Sequence, residues 1–190
     1  MKMKSNSLSI LNLAIVAIAA GILCFAGTVS AAVDTTSTAD NPHLRPQVAS
    51  ATDKTTLSAK DKSFIQAAAS GNEYEVENGK MATKQGQSAE VKKIAARMVS
   101  DHTKALNELV ALAKKKGIGV TTGTIKAQNL GTKDFDKQYL RLLERDHKND
   151  IAEFEKQAKT GTDSELKSWA AKTLPMMKAH LAMVQAAMKK

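Results

Sequence analysis

Leu142-Leu-Glu-Arg-Asp-His-Lys-Asn-Asp-Ile-Ala-Glu-Phe154 is a charged segment with an apolar seam. Leu140, Leu143, His147, Ile151, Phe154 and Ala158 follow one another at steps of three and four, the spacing of one helix face. A histidine therefore takes a core position. Glu144 stands one helical turn before it, and Glu-x-x-His is the spacing of metal sites built inside helical bundles.

The rest of the chain has the same grammar. Of 190 residues, 43% are hydrophobic and only 4% aromatic, with much of the apolar share in alanine, so one helical domain with a real core is expected. Strand-like alternation of Val, Ile and Thr is nearly absent. The formal charge is +9. Without Lys2 and Lys4, 26 basic residues face 19 acidic ones, leaving +7. That balance suits attraction to anionic surfaces, although lysines interleaved with acids also simply solvate helix faces.

Residues 1–32 read as a secretory signal peptide: Lys2 and Lys4, an apolar run from Leu8 to Val29, then Val29-Ser-Ala-Ala32 with cleavage after Ala31 or Ala32. An uncleaved N-terminal anchor is the alternative for so long an apolar stretch. Leu23 before Cys24 argues against a lipoprotein signal. Cleavage removes Cys24, the sole cysteine, and with it any disulfide, thiolate nucleophile or thiolate ligand. The expected location is the periplasm, with envelope association open and no integral membrane domain after cleavage. Residues 33–57, with Pro42, His43 and Pro46, read as a flexible polar linker.

Residues 58–190 then divide into four helices. Ser58 starts the first, which runs to about Gln85; Phe64, Ala68, Gly71, Glu75, Gly79 and Ala82 form its seam, leaving Glu73 and Glu77 outside. Ser88 starts the second, which ends at Gly117, with Val91, Ala95, Met98, His102, Ala105, Leu109 and Leu112 inward. Thr132 is the expected cap of the third, and Thr162-Asp-Ser-Glu165 a capping box for the fourth. The fourth carries Trp169, Met177, His180 and Val184, with a kink expected at Pro175. Gly117 to Gly131 is long for a hairpin; extended, it spans ~50 Å against ~42 Å for a helix of about 28 residues, enough to cross the bundle lengthwise.

Each helix seam holds one potential ligand: Glu75, His102, His147 and His180. They lie roughly 11, 14, 15 and 17 residues from their helix ends, so at 1.5 Å per residue their levels agree within ~9 Å near mid-bundle. Asp101-His102 and Asp146-His147 echo each other, but adjacent helical residues point about 100° apart, so each aspartate is expected to serve a neighbouring helix rather than its own seam.

Asp61-Lys-Ser-Phe64, Glu75-Val-Glu-Asn-Gly-Lys-Met-Ala82, Met98-Val-Ser-Asp-His102, Phe135-Asp-Lys-Gln-Tyr139, Asp146-His147, Leu174-Pro175 and His180-Leu181 together resemble the bacterial secreted domain-of-unknown-function family 4142, whose members are often labelled outer-membrane proteins. The likeness spans Ser58 to Lys189. It implies an all-α, ferritin-like four-helix bundle with a long connection between the second and third helices, exported across the inner membrane. It implies no particular activity. Nothing alternates like membrane strands. The ferritin di-iron pattern needs two Glu-x-x-His units, and only Glu144–His147 supplies one, since Val99 and Met177 precede the other histidines by three.

Several functional readings follow. The first is a divalent-metal site of Glu75, His102, His147 and His180, helped by Glu144 or Asp150, for zinc, iron, manganese or copper. The second is a buried polar network without metal. Met177-x-x-His180-x-x-Met183 suggests copper(I) as a third. The fourth is a non-enzymatic, stress-related envelope protein, its basic surface meeting anionic envelope components or an envelope protein. Hydrolase chemistry lacks a nucleophile near the histidines. Nucleic-acid binding lacks stacking aromatics, because Phe64, Phe135, Tyr139, Phe154 and Trp169 sit largely at seam positions. Oligomeric state is open.

Overall fold

The computed structural model describes residues 57–190; the signal peptide read at 1–32 and the linker up to residue 56 lie outside the described residues. Four helices follow: α1 (Ala59–Gln85), α2 (Ala89–Lys115), α3 (Phe135–Thr160) and α4 (Ser164–Ala187). No strand occurs among the described residues. None of the described helices is long and apolar enough to cross a membrane.

The starts of α1 and α2 are set by serine caps. Ser58 Oγ accepts the Asp61 amide at 3.1 Å, and Ser88 Oγ accepts the Val91 amide at 3.1 Å. The other two starts differ from expectation. The fourth helix is capped by Asp163, which accepts the Leu166 amide at 2.8 Å, while Thr162 turns its hydroxyl to Asp61. The third helix begins at Phe135 and not after Thr132. Gly131 (φ 68°) and Asp134 (φ 49°) are both left-handed, so the chain turns twice between two anchored apolar side chains, Leu130 and Phe135, before helix can start.

Two apolar clusters fix the topology. One joins the start of α1 (Phe64, Ile65, Ala68), the end of α2 (Leu109, Ala113), Phe154 near the end of α3, and the start of α4 (Leu166, Trp169). The other joins Ala82, the start of α2 (Val91, Ile94, Met98), the start of α3 (Phe135, Tyr139, Leu143) and Val184 near the end of α4. Hence α2 and α3 run in the same direction, as do α1 and α4. Residues 116–134 must travel the length of the bundle, the single crossover of ferritin-like folds. Ile118 and Val120 pack on the first cluster and Leu130 belongs to the second.

Hydrogen bonds hold the crossover along α1. Glu73 Oε1 accepts the Ile125 amide at 3.1 Å, Asn78 Oδ1 accepts the Gln128 amide at 2.9 Å, and Tyr74 donates to Gln128 Oε1 at 2.6 Å. These contacts explain why Glu73, outside the helix seam, is nonetheless buried. The helix periodicity predicts only the face toward other helices; the crossover covers a second face.

Gly79 sits where α1 and α2 approach closely. A Cβ there would lie 2.7 Å from Val99 Cγ2 and 3.0 Å from the Ala95 carbonyl oxygen. α4 continues as helix through Pro175.

Candidate metal centre

Between the two apolar clusters lies a polar layer. His102 on α2, His147 on α3 and His180 on α4 are all buried there, and Asn72 and Glu75 reach it from α1. The three imidazole centroids lie 5.3–5.4 Å apart pairwise. One nitrogen of each ring falls within 4.8 Å of one from each of the others.

The outer nitrogens decide how the inner ones point. His102 Nδ1 meets Asn72 Oδ1 at 3.0 Å, and Asn72 Nδ2 donates to the Ala68 carbonyl at 2.7 Å, which orients the amide. His147 Nδ1 meets the Leu143 carbonyl at 3.0 Å. His180 Nε2 meets Asp101 Oδ2 at 2.9 Å. All three partners are acceptors, so each outer nitrogen carries the proton and donates. In the neutral rings this leaves lone pairs on His102 Nε2, His147 Nε2 and His180 Nδ1.

No protein donor meets those lone pairs. His102 Nε2 has no hydrogen-bond partner. His147 Nε2 and His180 Nδ1 face each other at 3.3 Å. Two nitrogens bound at ~2.0–2.1 Å to one tetrahedral ion lie ~3.3–3.4 Å apart, so this pair already has the spacing of a chelate.

Burial governs the proton affinities. It pushes His102 well below the ordinary histidine range, with His147 and His180 adding to the effect. His147 falls to about 4, through burial and the neighbouring His180, partly opposed by the Leu143 carbonyl. His180 is also lowered by burial, against the pull of Asp101. Near neutral pH the rings are therefore unprotonated, the form that ligates metals.

Glu75 stands behind His147, its Oε1 3.6 Å from Nδ1. That distance allows an ion pair, but the charges oppose it. His147 is pushed toward its neutral form, while burial, Asp146 and Asp150 raise Glu75 well above the carboxylate range. The contact is between neutral groups unless a cation enters the layer. Both Glu75 oxygens lack a hydrogen-bond partner, as does the buried Tyr139 hydroxyl. Burial and Glu75 raise the Tyr139 phenol.

Four expected site residues thus meet at one level: Glu75, His102, His147 and His180. Glu144 does not join them. Its carboxylate lies at the surface, accepting from Lys148 Nζ at 2.7 Å and Gln185 Nε2 at 3.2 Å. Three residues before His147 is far enough around α3 to turn Glu144 toward the outer edge of α4. Asp150 lines a cleft between α1 and α3 and does not approach the imidazole nitrogens as a ligand. Met177 and Met183 pack against opposite apolar clusters, so the Met-His-Met spacing does not gather its sulfurs at one point.

Two residues with a part in the layer escape a ligand-based reading. Asn72 is an amide and leaves no ligand signature, although it stands one helical turn before Glu75. Asp101 does serve a neighbouring helix, as the offset from His102 suggests, and its partner there is His180 itself.

The family described as Domain of unknown function (DUF4142) matches residues 46–187, all four helices and part of the preceding linker. This chain belongs to the DUF4142 family. Among curated proteins, none matches its sequence significantly. This DUF4142 bundle is similar in fold to a DUF305 fragment from Deinococcus radiodurans, with TM-score 0.62, 11% identity, and coverage of 70% of this chain and 97% of that one. It is also similar to the conserved hypothetical protein rv2844 from Mycobacterium tuberculosis, with TM-score 0.60, 9% identity, and coverage of 68% and 91%. At such identities the likeness is one of fold.

Proposed function

We propose that this DUF4142 domain is a non-enzymatic periplasmic binder of a divalent transition-metal ion. His102 Nε2, His147 Nε2 and His180 Nδ1 are the ligands. The observation that carries this reading is the convergence of three neutral-imidazole lone pairs with no protein donor between them. Imidazole donors suit zinc, copper(II) or iron, with the harder manganese ion less well matched.

The surrounding groups fit that role. Asn72, the Leu143 carbonyl and Asp101 each hold one ring by its outer nitrogen, the arrangement that orients metal-bound histidines. A divalent ion would draw Glu75 into its charged form, and Glu75 with Asp101 would then balance the two positive charges. The imidazoles are enclosed, which suits holding an ion more than turning over a substrate. The periplasmic setting rests on the signal-peptide pattern of residues 1–32.

The test is a thermal melt of chelator-stripped protein with zinc, copper(II), manganese or no metal. Binding at 100 times Kd stabilises by ~2.7 kcal/mol, which for a domain of this size raises Tm by roughly 10 °C. His102→Ala and His180→Ala should abolish the rise, and Glu144→Ala should keep it. A wild-type Tm unmoved by every metal would refute the proposal and leave the layer as a buried polar network that fixes helix register.

A further inference from the structure

We infer, on the metal reading above, that the cleft between α1 and α3 is the path by which a cation reaches the triad, with Glu75 as its inner station. This cleft, about 430 Å³, is lined by Gly71, Tyr74, Glu75, Arg145, Asp146 and Asp150, with Ile125 of the crossover at its margin. Glu75 both lines the cleft and touches His147. It is 2% exposed, and neither carboxylate oxygen has a hydrogen-bond partner. An unpartnered buried carboxyl is costly, and a transient cation that draws it into its charged form is a partner it lacks. Asp146 Oδ2, further out, is likewise unpartnered.

The opposite face offers a competitor, and the comparison decides between them. The α2–α4 cleft is about 180 Å³ and touches the layer through Asp101. It holds two acids, Asp101 and Glu108, against two lysines, Lys104 and Lys172, so it is formally neutral. Asp101 Oδ2 is already committed to His180 and Arg97. The α1–α3 cleft carries two charged acids, Asp146 and Asp150, in front of the uncharged Glu75, against Arg145 alone, so it is net negative even though Arg145 is paired with Asp146 at 2.8 Å. A cleft with a net negative wall concentrates cations relative to a neutral one. A third depression of about 330 Å³, between Phe64 and Phe154, shares Asp150 but reaches neither Glu75 nor an imidazole.

Gly71 supports the same assignment. Glycine inside a helix costs about 1 kcal/mol against alanine. At Gly79 close packing demands it, but at Gly71 an added Cβ would meet only Asp150 oxygens, at 3.9 and 4.0 Å. Packing does not require glycine there. Its lack of a side chain leaves the wall beside Asp150 open.

The experiment follows cobalt(II), whose visible absorption reports binding to imidazoles, by stopped flow on stripped protein, with release measured into excess EDTA. Gly71→Leu plugs the α1–α3 cleft, and Met176→Trp plugs the α2–α4 cleft as the control. We expect Gly71→Leu to slow loading and release alike by roughly 10-fold or more with Kd unchanged, and Met176→Trp to leave both rates as they are. Wild-type loading by Gly71→Leu, or slow loading confined to Met176→Trp, overturns the path. Should Gly71→Leu fail to fold, Asp150→Asn decides: slower loading at low salt that converges on wild type at high salt supports the path, and equal rates at low salt overturn it. Failure of wild type to give any cobalt band at equilibrium would instead defeat the metal reading itself, a result distinct from unchanged kinetics.

Discussion

Asp61 offers a measurable test of how the two helical hairpins are joined. It lies in the first turn of α1, is fully buried, and reaches the turn between α3 and α4. Its Oδ1 accepts from Gln157 Nε2 at 2.6 Å; its Oδ2 accepts the Asp163 amide at 3.1 Å, the Ser58 hydroxyl at 2.9 Å and the Thr162 hydroxyl. The Thr162 amide lies 3.2–3.3 Å from both oxygens. Burial alone would raise its pKa, but these bonds outweigh burial and hold it near 2 against the ordinary 3.8. At ~1.36 kcal/mol per pH unit, the depressed value is worth about 2 kcal/mol at pH 7. Asp61→Asn removes that charge and points an NH₂ group at donors. The hydroxyls of Ser58 and Thr162 can rotate to accept, but the Asp163 amide cannot.

The pH dependence has a definite sign. A carboxylate whose folded pKa is depressed contributes its stability above the unfolded value, and loses it as pH falls through the folded value. The gap between wild type and Asp61→Asn should therefore be about 2 kcal/mol at pH 7 and pH 5, and under ~1 kcal/mol at pH 2.5. Urea unfolding followed by far-ultraviolet circular dichroism measures it, with the variant cancelling the other carboxylates that share the wild-type pH profile. A gap below ~0.5 kcal/mol at pH 7, or one equally large at pH 2.5, would refute the account of Asp61 as the charged clasp between hairpins.

Two further outcomes follow from named contacts. Gly79→Ala forces a methyl within 2.7 Å of Val99, a clash costing ~1–3 kcal/mol that exceeds the ~1 kcal/mol gain in helix propensity, whereas Gly71→Ala meets no clash and should stabilise by ~0.5–1 kcal/mol; melts of the two variants should move in opposite directions. Asp101→Ala removes the acceptor that orients His180, so metal affinity measured by chelator competition should fall ~10–100-fold while the fold persists.

The helices were legible in the sequence because each buries one face, and a period of three and four marks that face whatever lies opposite. The level of Glu75, His102, His147 and His180 was legible for a related reason: rise per residue converts position along a helix directly into height. Rotation about the axis is harder to read. Glu144 shares the height of His147 yet faces Lys148 and Gln185, because three residues span only most of a turn and the neighbouring helix decides which edge is inside. Caps at Asp134 and Asp163 were misplaced for another reason. The turns before α3 and α4 are shaped by long-range partners: Leu130 and Phe135 in the core, and Asp61 on Thr162. Such partners leave no local motif. Asn72 and Glu73 were hidden likewise, one made important by His102 and the other covered by the crossover.

The polar layer also bears on its own purpose. A network kept only to fix helix register should satisfy its members, since that is how a buried polar group avoids the cost of desolvation. The outer half of this layer is satisfied: Asn72, the Leu143 carbonyl and Asp101 each take a ring proton. The inner half is not. His102 Nε2 and both Glu75 oxygens lack protein partners, and His147 and His180 present lone pairs to each other. Left wholly unpaired, each such group would cost ~1–3 kcal/mol. The stabilising bonds thus orient rings whose remaining nitrogens repel. On the metal reading proposed above, these hydrogen bonds turn three electron pairs toward one another to meet an electron-pair acceptor. A metal-free network accounts for the outer bonds and would need a buried water to donate to the inner nitrogens.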